Sequence, residues 1–382
     1  MGNPRSIRTL LSVAMLASLT FGGVVAADNA SFYTVHNLVS DGIDPNATLD
    51  PNLKNGWGIV FAPGTSPTTG SPAWVADNGT GKSTLYNGDG TIVSLVVTIP
   101  APGTTSGGAP TGIVANTGST TDFVFTDSGK TGRAAFIFST EDGTIAAWSP
   151  AVNATQAIIM FPPSNVIPTA IYKGLAIANN GTETFLYASD FHNGRIDVFN
   201  SNFALTTLTG NFTDPKLPSG YGPFGIQSIN GHIYVAYAKQ DADAEDEIAG
   251  QGRGIVDEFT ADGQFVRRVA QHGQLNAPWG MALAPANFGC FSNALLVGNF
   301  GDGRINAFDL ASGELLGPLR GQDHKRIVVD GLWGIAFGNG NLTRDQPKNV
   351  LFFAAGPNDE NDGLFGRIEA SGAGACIASD DD

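Results

Sequence analysis

Gly56-Trp57-Gly58-Ile59-Val60-Phe61 (GWGIVF) sets a glycine just ahead of a short apolar strand, and the chain repeats the arrangement. PTGIVA follows around Gly112, YKGLAI around Gly174, PFGIQS around Gly225, PWGMAL around Gly280 and LWGIAF around Gly334. The separations are 54, 62, 51, 55 and 54 residues. A period of that length, with several short strands per unit, is the signature of a propeller blade. Second strands read AWVADN, FVFTDS, FLYASDF, IYVAYAKQD, ALLVGNF and VLFFAAG. Third strands read KSTLYN, AAFIFS, RIDVFN, GIVDEF, RINAFD and LFGRIEA. Turns such as Asp89-Gly90, Asp142-Gly143 and Asp262-Gly263 then lead into a fourth strand. Alternation along these strands buries one set of side chains between neighbouring blades, so no blade folds alone. The sequence predicts an all-β, six-bladed β-propeller with blades starting near residues 55, 109, 171, 222, 277 and 331.

The ends of the chain predict how the ring closes. The sixth unit stops after three strands, whereas SFYTVHNLV (Ser31 to Val39) stands unassigned near the other end. That strand is expected to complete the last blade by pairing with 364–370, which removes the exposed edges at the seam. Ahead of it, Arg5 and Arg8 precede an apolar run from Leu10 to Val25 and the small-residue site Val25-Ala26-Ala27. Residues 1–27 read as a cleaved signal peptide, and 28–382 as a single propeller domain. The expected location is outside the cell, or the periplasm of a Gram-negative host. No later run is long and apolar enough to span a bilayer.

Of 382 residues, 50 are Gly and 42% are hydrophobic, enough for many tight turns and a large core. The net charge of -15 repels phosphate backbones, and no basic cluster offsets it, which excludes a nucleic-acid partner. Cys290 falls between strands one and two of blade five, and Cys376 follows strand three of blade six. Both places lie on one rim, so two cysteines in an exported chain predict a disulfide.

NGWGIVF at 55–61, AYAKQDADAEDEIAGQGRGIVDEF at 236–259, GLWGIAFGNG at 331–340 and FFAAGPNDENDGLFGRIEA at 352–370 carry a family resemblance. The chain resembles the exported β-propellers known as PEP-CTERM-associated conserved hypothetical proteins, and more distantly NHL-type repeats. The resemblance implies the fold over nearly the whole mature chain and brings no activity with it.

In a propeller, the turns before strand one and between strands two and three gather around one channel mouth. The repeat places Asp77, Asp127, Asp190 and His192 there, with Lys239, Gln240 and Asn299. The turns before strand one add Trp57, Lys173, Phe224, Trp279 and Trp333. Aromatic walls with a few polar groups suit a small-ligand pocket. The same residue types also serve structure, since Asp before a Gly turn caps that turn and large aromatics pack between blades.

His192, His272 and His324 map to this face as well, without the spacing of a metal motif. Asp241, Asp243 and Asp246 stand in an acidic stretch (DADAEDE, 241–247) whose hard oxygens suit Ca²⁺ or another divalent cation. There is no Gly-x-Ser-x-Gly elbow, phosphate-binding glycine loop or haem motif in the sequence. The expected function is recognition of a small molecule, glycan or protein at the channel mouth. The alternative is a hydrolase or lyase assisted by Ca²⁺ or Zn²⁺.

Overall fold

The six glycine strands surround one axis. A computed structural model describes residues 1, 31–162 and 169–371. The inner strands are Gly56–Phe61, Pro110–Ala115, Tyr172–Asn179, Tyr221–Ile229, Pro278–Leu283 and Leu332–Phe337. Five of them begin four-stranded sheets and the sixth begins a five-stranded one, which makes a six-bladed β-propeller.

Close approach at the axis explains the repeated glycine. A Cβ on Gly58 would stand 2.6 Å from the Thr111 carbonyl oxygen, and one on Gly112 2.3 Å from the Leu175 nitrogen. The series continues from Gly174 to Phe224, from Gly225 to Trp279 and from Gly280 to Trp333, and it returns from Gly334 to Trp57. Each inner strand therefore rests on the backbone of the next blade, where a side chain would prise the two apart. Beside each of these glycines the ladder to the second strand shifts register. Such a bulge turns one residue out of the ladder and re-aims it. Here the re-aimed residue is the one before the glycine.

Between blades, the sheets pack face to face. Trp74 and Leu85 of blade 1 meet Phe136 and Trp148 of blade 2, and Leu296 and Ile305 of blade 5 meet Leu351 and Phe353 of blade 6. Full burial of each such side chain contributes about 1.5–3 kcal/mol.

Closure follows the expected route. Phe32–Ser40 pairs antiparallel with Leu364–Ser371 as the fourth strand of blade 6. Thr48–Leu49 adds a short fifth strand parallel to it.

Blade 2 departs from the reading of its repeat. Val124–Asp127 does not enter the blade; it pairs with Lys130–Arg133 as a separate two-stranded hairpin. The second to fourth strands are Phe136–Thr140, Ile145–Trp148 and Ile158–Phe161. Phe123 and Phe125 anchor the insertion by packing with Phe203 and Ala134. The inserted hairpin accounts for the long 62-residue interval. It also puts Asp127 between the end of strand one and the start of strand two, on the rim opposite the expected mouth.

Cys290 lies in the 3-10 turn Gly289–Phe291, 3.7 Å from the Tyr33 hydroxyl. Cys376 and the segment read as a signal peptide to residue 27, Met1 apart, lie outside the described residues. Among the described residues, no helix is long and apolar enough to cross a membrane.

Candidate functional site

The residues that the bulges turn inward meet at the axis. Trp57 of blade 1 stacks on Trp333 of blade 6 with ring centroids 3.5 Å apart. Trp279 of blade 5 stands edge-on to both, at 6.0 and 5.7 Å. Phe224 of blade 4 packs 5.6 Å from Trp333, and Phe300 stacks on Trp333 at 4.0 Å. These rings join non-adjacent blades, so they fill the channel itself. Trp57, Phe224, Trp279 and Trp333 are all buried, so they form a plug and not the open aromatic walls expected from the sequence. Beneath the plug the channel narrows to a space of about 30 Å³ among the glycine strands, then opens at the opposite mouth into a cavity of about 530 Å³ lined by Phe61, Ala115, Ile177, Gln227, Leu283 and Phe337.

Blade 3 places Lys173 where blades 1, 4, 5 and 6 place aromatics and blade 2 places Thr111. Its Nζ lies 5.4 Å from the Trp57 ring and 6.0 Å from that of Phe191. It donates to Glu141 Oε1 at 2.6 Å and to Asp246 Oδ1 at 3.0 Å. The lysine side chain is only 2% exposed. Burial opposes its charge, but the two carboxylates outweigh that and hold the ammonium pKa above the ordinary lysine value.

Above the plug opens a cavity of about 520 Å³. Blade 1 contributes Asn55, Trp57 and Asn78 to its lining, and blade 2 contributes Glu141. The long turn of blade 4 adds Glu245, Asp246 and Glu247, and blade 6 adds Trp333 and Glu360. The amides tie this lining together. Trp333 Nε1 donates to Asn55 Oδ1 at 3.1 Å, and Asn55 Nδ2 donates to Glu360 Oε1 at 3.2 Å. Asn78 Nδ2 donates to Glu141 Oε2 at 2.8 Å. Burial pushes the Glu247 carboxyl up to about 7, with Lys173 pulling the other way. It also raises Glu360, against the hydrogen bond from Asn55. Trp57 Nε1 is buried without an acceptor.

Of the other residues expected at the mouth, Asp190, Asn299, Gln240 and Lys239 bond to neighbouring groups, and both Asp77 carboxyl oxygens are buried without a partner. Asp77 is wholly buried at the end of its strand, where burial pushes its carboxyl well above the usual range. Asp190, also buried, caps its own turn by accepting from the Asn193 backbone at 3.2 Å and side chain at 2.7 Å. Asn299 donates to the Gln274 carbonyl, Gln240 to the Phe191 carbonyl and Lys239 to the Ser219 carbonyl. His192 is exposed, with Nδ1 3.3 Å from the Ala244 carbonyl oxygen.

The three aspartates expected to share a cation do not converge. Asp246 pairs with Lys173, Asp241 accepts from the Glu245 backbone at 3.0 Å, and Asp243 is exposed. Among the described residues, no three His, Cys, Asp or Glu are grouped to hold a metal ion. Sequence reasoning missed Asn55 and Glu141. Glu141 follows the true second strand of blade 2, and the misassigned hairpin hid that equivalence.

No family model matches the chain. It is similar to two uncharacterized proteins of Acanthamoeba polyphaga mimivirus. One is 33% identical over 343 residues, covering 88% of this chain and 80% of that protein. The chain belongs to the same family as that protein. The second is 33% identical over 346 residues, covering 88% and 85%. The resemblance to PEP-CTERM-associated proteins rests on the quoted segments alone. Among solved structures, a glucose dehydrogenase aligns with a TM-score of 0.51 at 14% identity, covering 88% of this chain and all of that one. The PQQ-bound aldose sugar dehydrogenase of Streptomyces coelicolor aligns at 0.50 and 12%, covering 90% and 99%. At such identity the likeness is one of fold, and it brings neither cofactor nor reaction to this family.

Proposed function

We propose that the protein is an exported binding propeller that holds a small organic ligand in the cavity above the aromatic plug. One observation carries the reading: groups from five blades converge on a single cavity of about 520 Å³ whose floor is closed. That volume lies within the range of roughly 300–1,000 Å³ usual for small-molecule sites, which suits a sugar unit or metabolite better than a protein surface. Carboxylates, amides and one ammonium supply directional hydrogen bonds, and the plug beneath them keeps the floor rigid and dry. The competing metal-assisted hydrolase or lyase needs Asp, Asn or His gathered around a cation, and Asp241 and Asp246 turn to different partners.

Thermal-shift screening of the mature protein against small polar molecules tests the reading, with Lys173→Met and Glu360→Gln in parallel. A ligand of this cavity should stabilise the wild type and lose its effect in both variants. Ligands that stabilise all three proteins equally would place recognition elsewhere.

A further inference from the structure

We infer that the ligand of this cavity is a hydroxylated amine, such as an amino sugar; this rests on the binding reading above and specifies its chemistry. The first ground is charge. Glu141, Glu245, Asp246, Glu247 and Glu360 line the cavity, and Lys173 is the one cation among the lining residues. Lys173 occupies Glu141 and Asp246. Glu360 accepts only from the Asn55 amide, and neither Glu245 nor Glu247 has an ion pair among the described residues. Glu247 and Glu360 are drawn partly out of water and feel only Lys173, which Glu141 and Asp246 already hold, so the set favours a further cationic guest. The floor already shows how an ammonium is held, with Lys173 Nζ over the Trp57 ring and between two carboxylates.

The second ground is independent of charge. Trp57 is 2% exposed and forms part of the cavity floor, yet its indole N–H meets no acceptor. An ammonium carries three donors, and Lys173 gives one each to Glu141 and Asp246. The lining side chains thus carry two donors without a matched acceptor, and an oxygen acceptor brought to them would satisfy both. Among five carboxylates a neutral hydroxyl is favoured over an anionic oxygen. A hydroxyl toward Trp57 and Lys173, with an amine toward Glu247 and Glu360, matches both requirements in one small molecule. The raised carboxyls agree with this placement, because a bound ammonium would drive them to ionise and release protons.

Isothermal titration of the mature protein with glucosamine, glucose, N-acetylglucosamine and butylamine tests the inference. Glucosamine should bind at least about tenfold more tightly than each of the others, because only it joins a free amine to hydroxyls. Proton release should accompany its binding near neutral pH, seen as heats that change with buffer ionisation enthalpy. The Glu247→Gln, Glu360→Gln double variant should lose about tenfold in glucosamine affinity while melting no lower than the wild type, since Gln copies the protonated acid. Glucose or N-acetylglucosamine binding as tightly as glucosamine would overturn the amine requirement and leave the binding reading standing. Butylamine matching glucosamine would overturn the hydroxyl. Failure of all four probes overturns the inference. The wider reading then stands only if the polar screen yields a ligand whose effect is lost in Lys173→Met.

Discussion

Lys173 Nζ of blade 3 lies 2.6 Å from Glu141 Oε1 of blade 2, so a channel residue of one blade is fixed by the loop of its neighbour. Its other carboxylate, Asp246, comes from blade 4 and is 73% exposed, so Glu141 is the better shielded partner. Removing Glu141's charge leaves a buried ammonium with one solvent-screened counter-ion. Glu141→Gln should cost about 2 kcal/mol, below the roughly 3–5 kcal/mol of a fully buried pair. Lys173→Met removes the buried charge itself and should cost less. Urea unfolding of both variants checks the order, and a more damaging Lys173→Met would contradict it.

Stability should fall as pH rises toward neutrality. Glu247 is raised from 4.5 to about 7 by burial, so between those values the folded state keeps a proton that the unfolded chain has lost. Its contribution is whole below pH 4.5 and is lost as pH climbs through about 7. The slope is at most about 1.4 kcal/mol per pH unit. Glu247→Gln should flatten the unfolding free energy between about pH 5 and about pH 7, measured by urea titration at each pH. An identical slope in the variant would show that Glu247 does not titrate there.

The inner strands were legible because close packing at the axis forces a glycine into every blade, and a forced residue type survives as a pattern. The closing strand was legible because one unit lacked a fourth strand. Blade 2 was not, since FVFTDS and AAFIFS alternate equally well and sequence cannot say which one pairs with PTGIVA. That ambiguity put Asp127 at the mouth and hid Glu141. Trp57, Phe224, Trp279 and Trp333 lie at the axis, and their packing into a plug depends on bulges that turn them inward. Asp77 and Asp190 ended the expected strands, but their side chains turn into the blades. Lys173 shares the register of the aromatics, but its pairing with Glu141 and Asp246 joins three blades and leaves no mark in the sequence.

Calcium should have little effect on folding. Asp241 caps its own loop, Asp246 is engaged by Lys173 and Asp243 is exposed, and among the described residues no three His, Cys, Asp or Glu are grouped to hold an ion. Ca²⁺ requires about 6–8 oxygen ligands close together, and divergent carboxylates do not supply them. Melting temperatures in calcium and in chelator should agree, and Asp243→Asn should be neutral within about 0.5 kcal/mol. A large loss of stability in chelator would point to oxygens other than this set.

Closure of the ring should depend on the strand Phe32–Ser40. Among the described residues it is the outer neighbour of the eight-residue strand Leu364–Ser371, and Tyr33 extends the seam to blade 5. The Tyr33 ring stacks on Phe291 at 5.9 Å, and its hydroxyl donates to the Phe288 carbonyl at 3.1 Å. Without the strand, Leu364–Ser371 becomes an open edge ready to pair with another chain. A protein starting at Asp41 should therefore aggregate, and a synthetic peptide of residues 31–40 supplied in trans should restore a monomer by sedimentation. Tyr33→Ala keeps the backbone pairing but opens the blade 5 contact, at a cost of about 3 kcal/mol with the monomer retained. A monomeric truncation that melts like the full chain would mean that the other blades hold the ring without its seam.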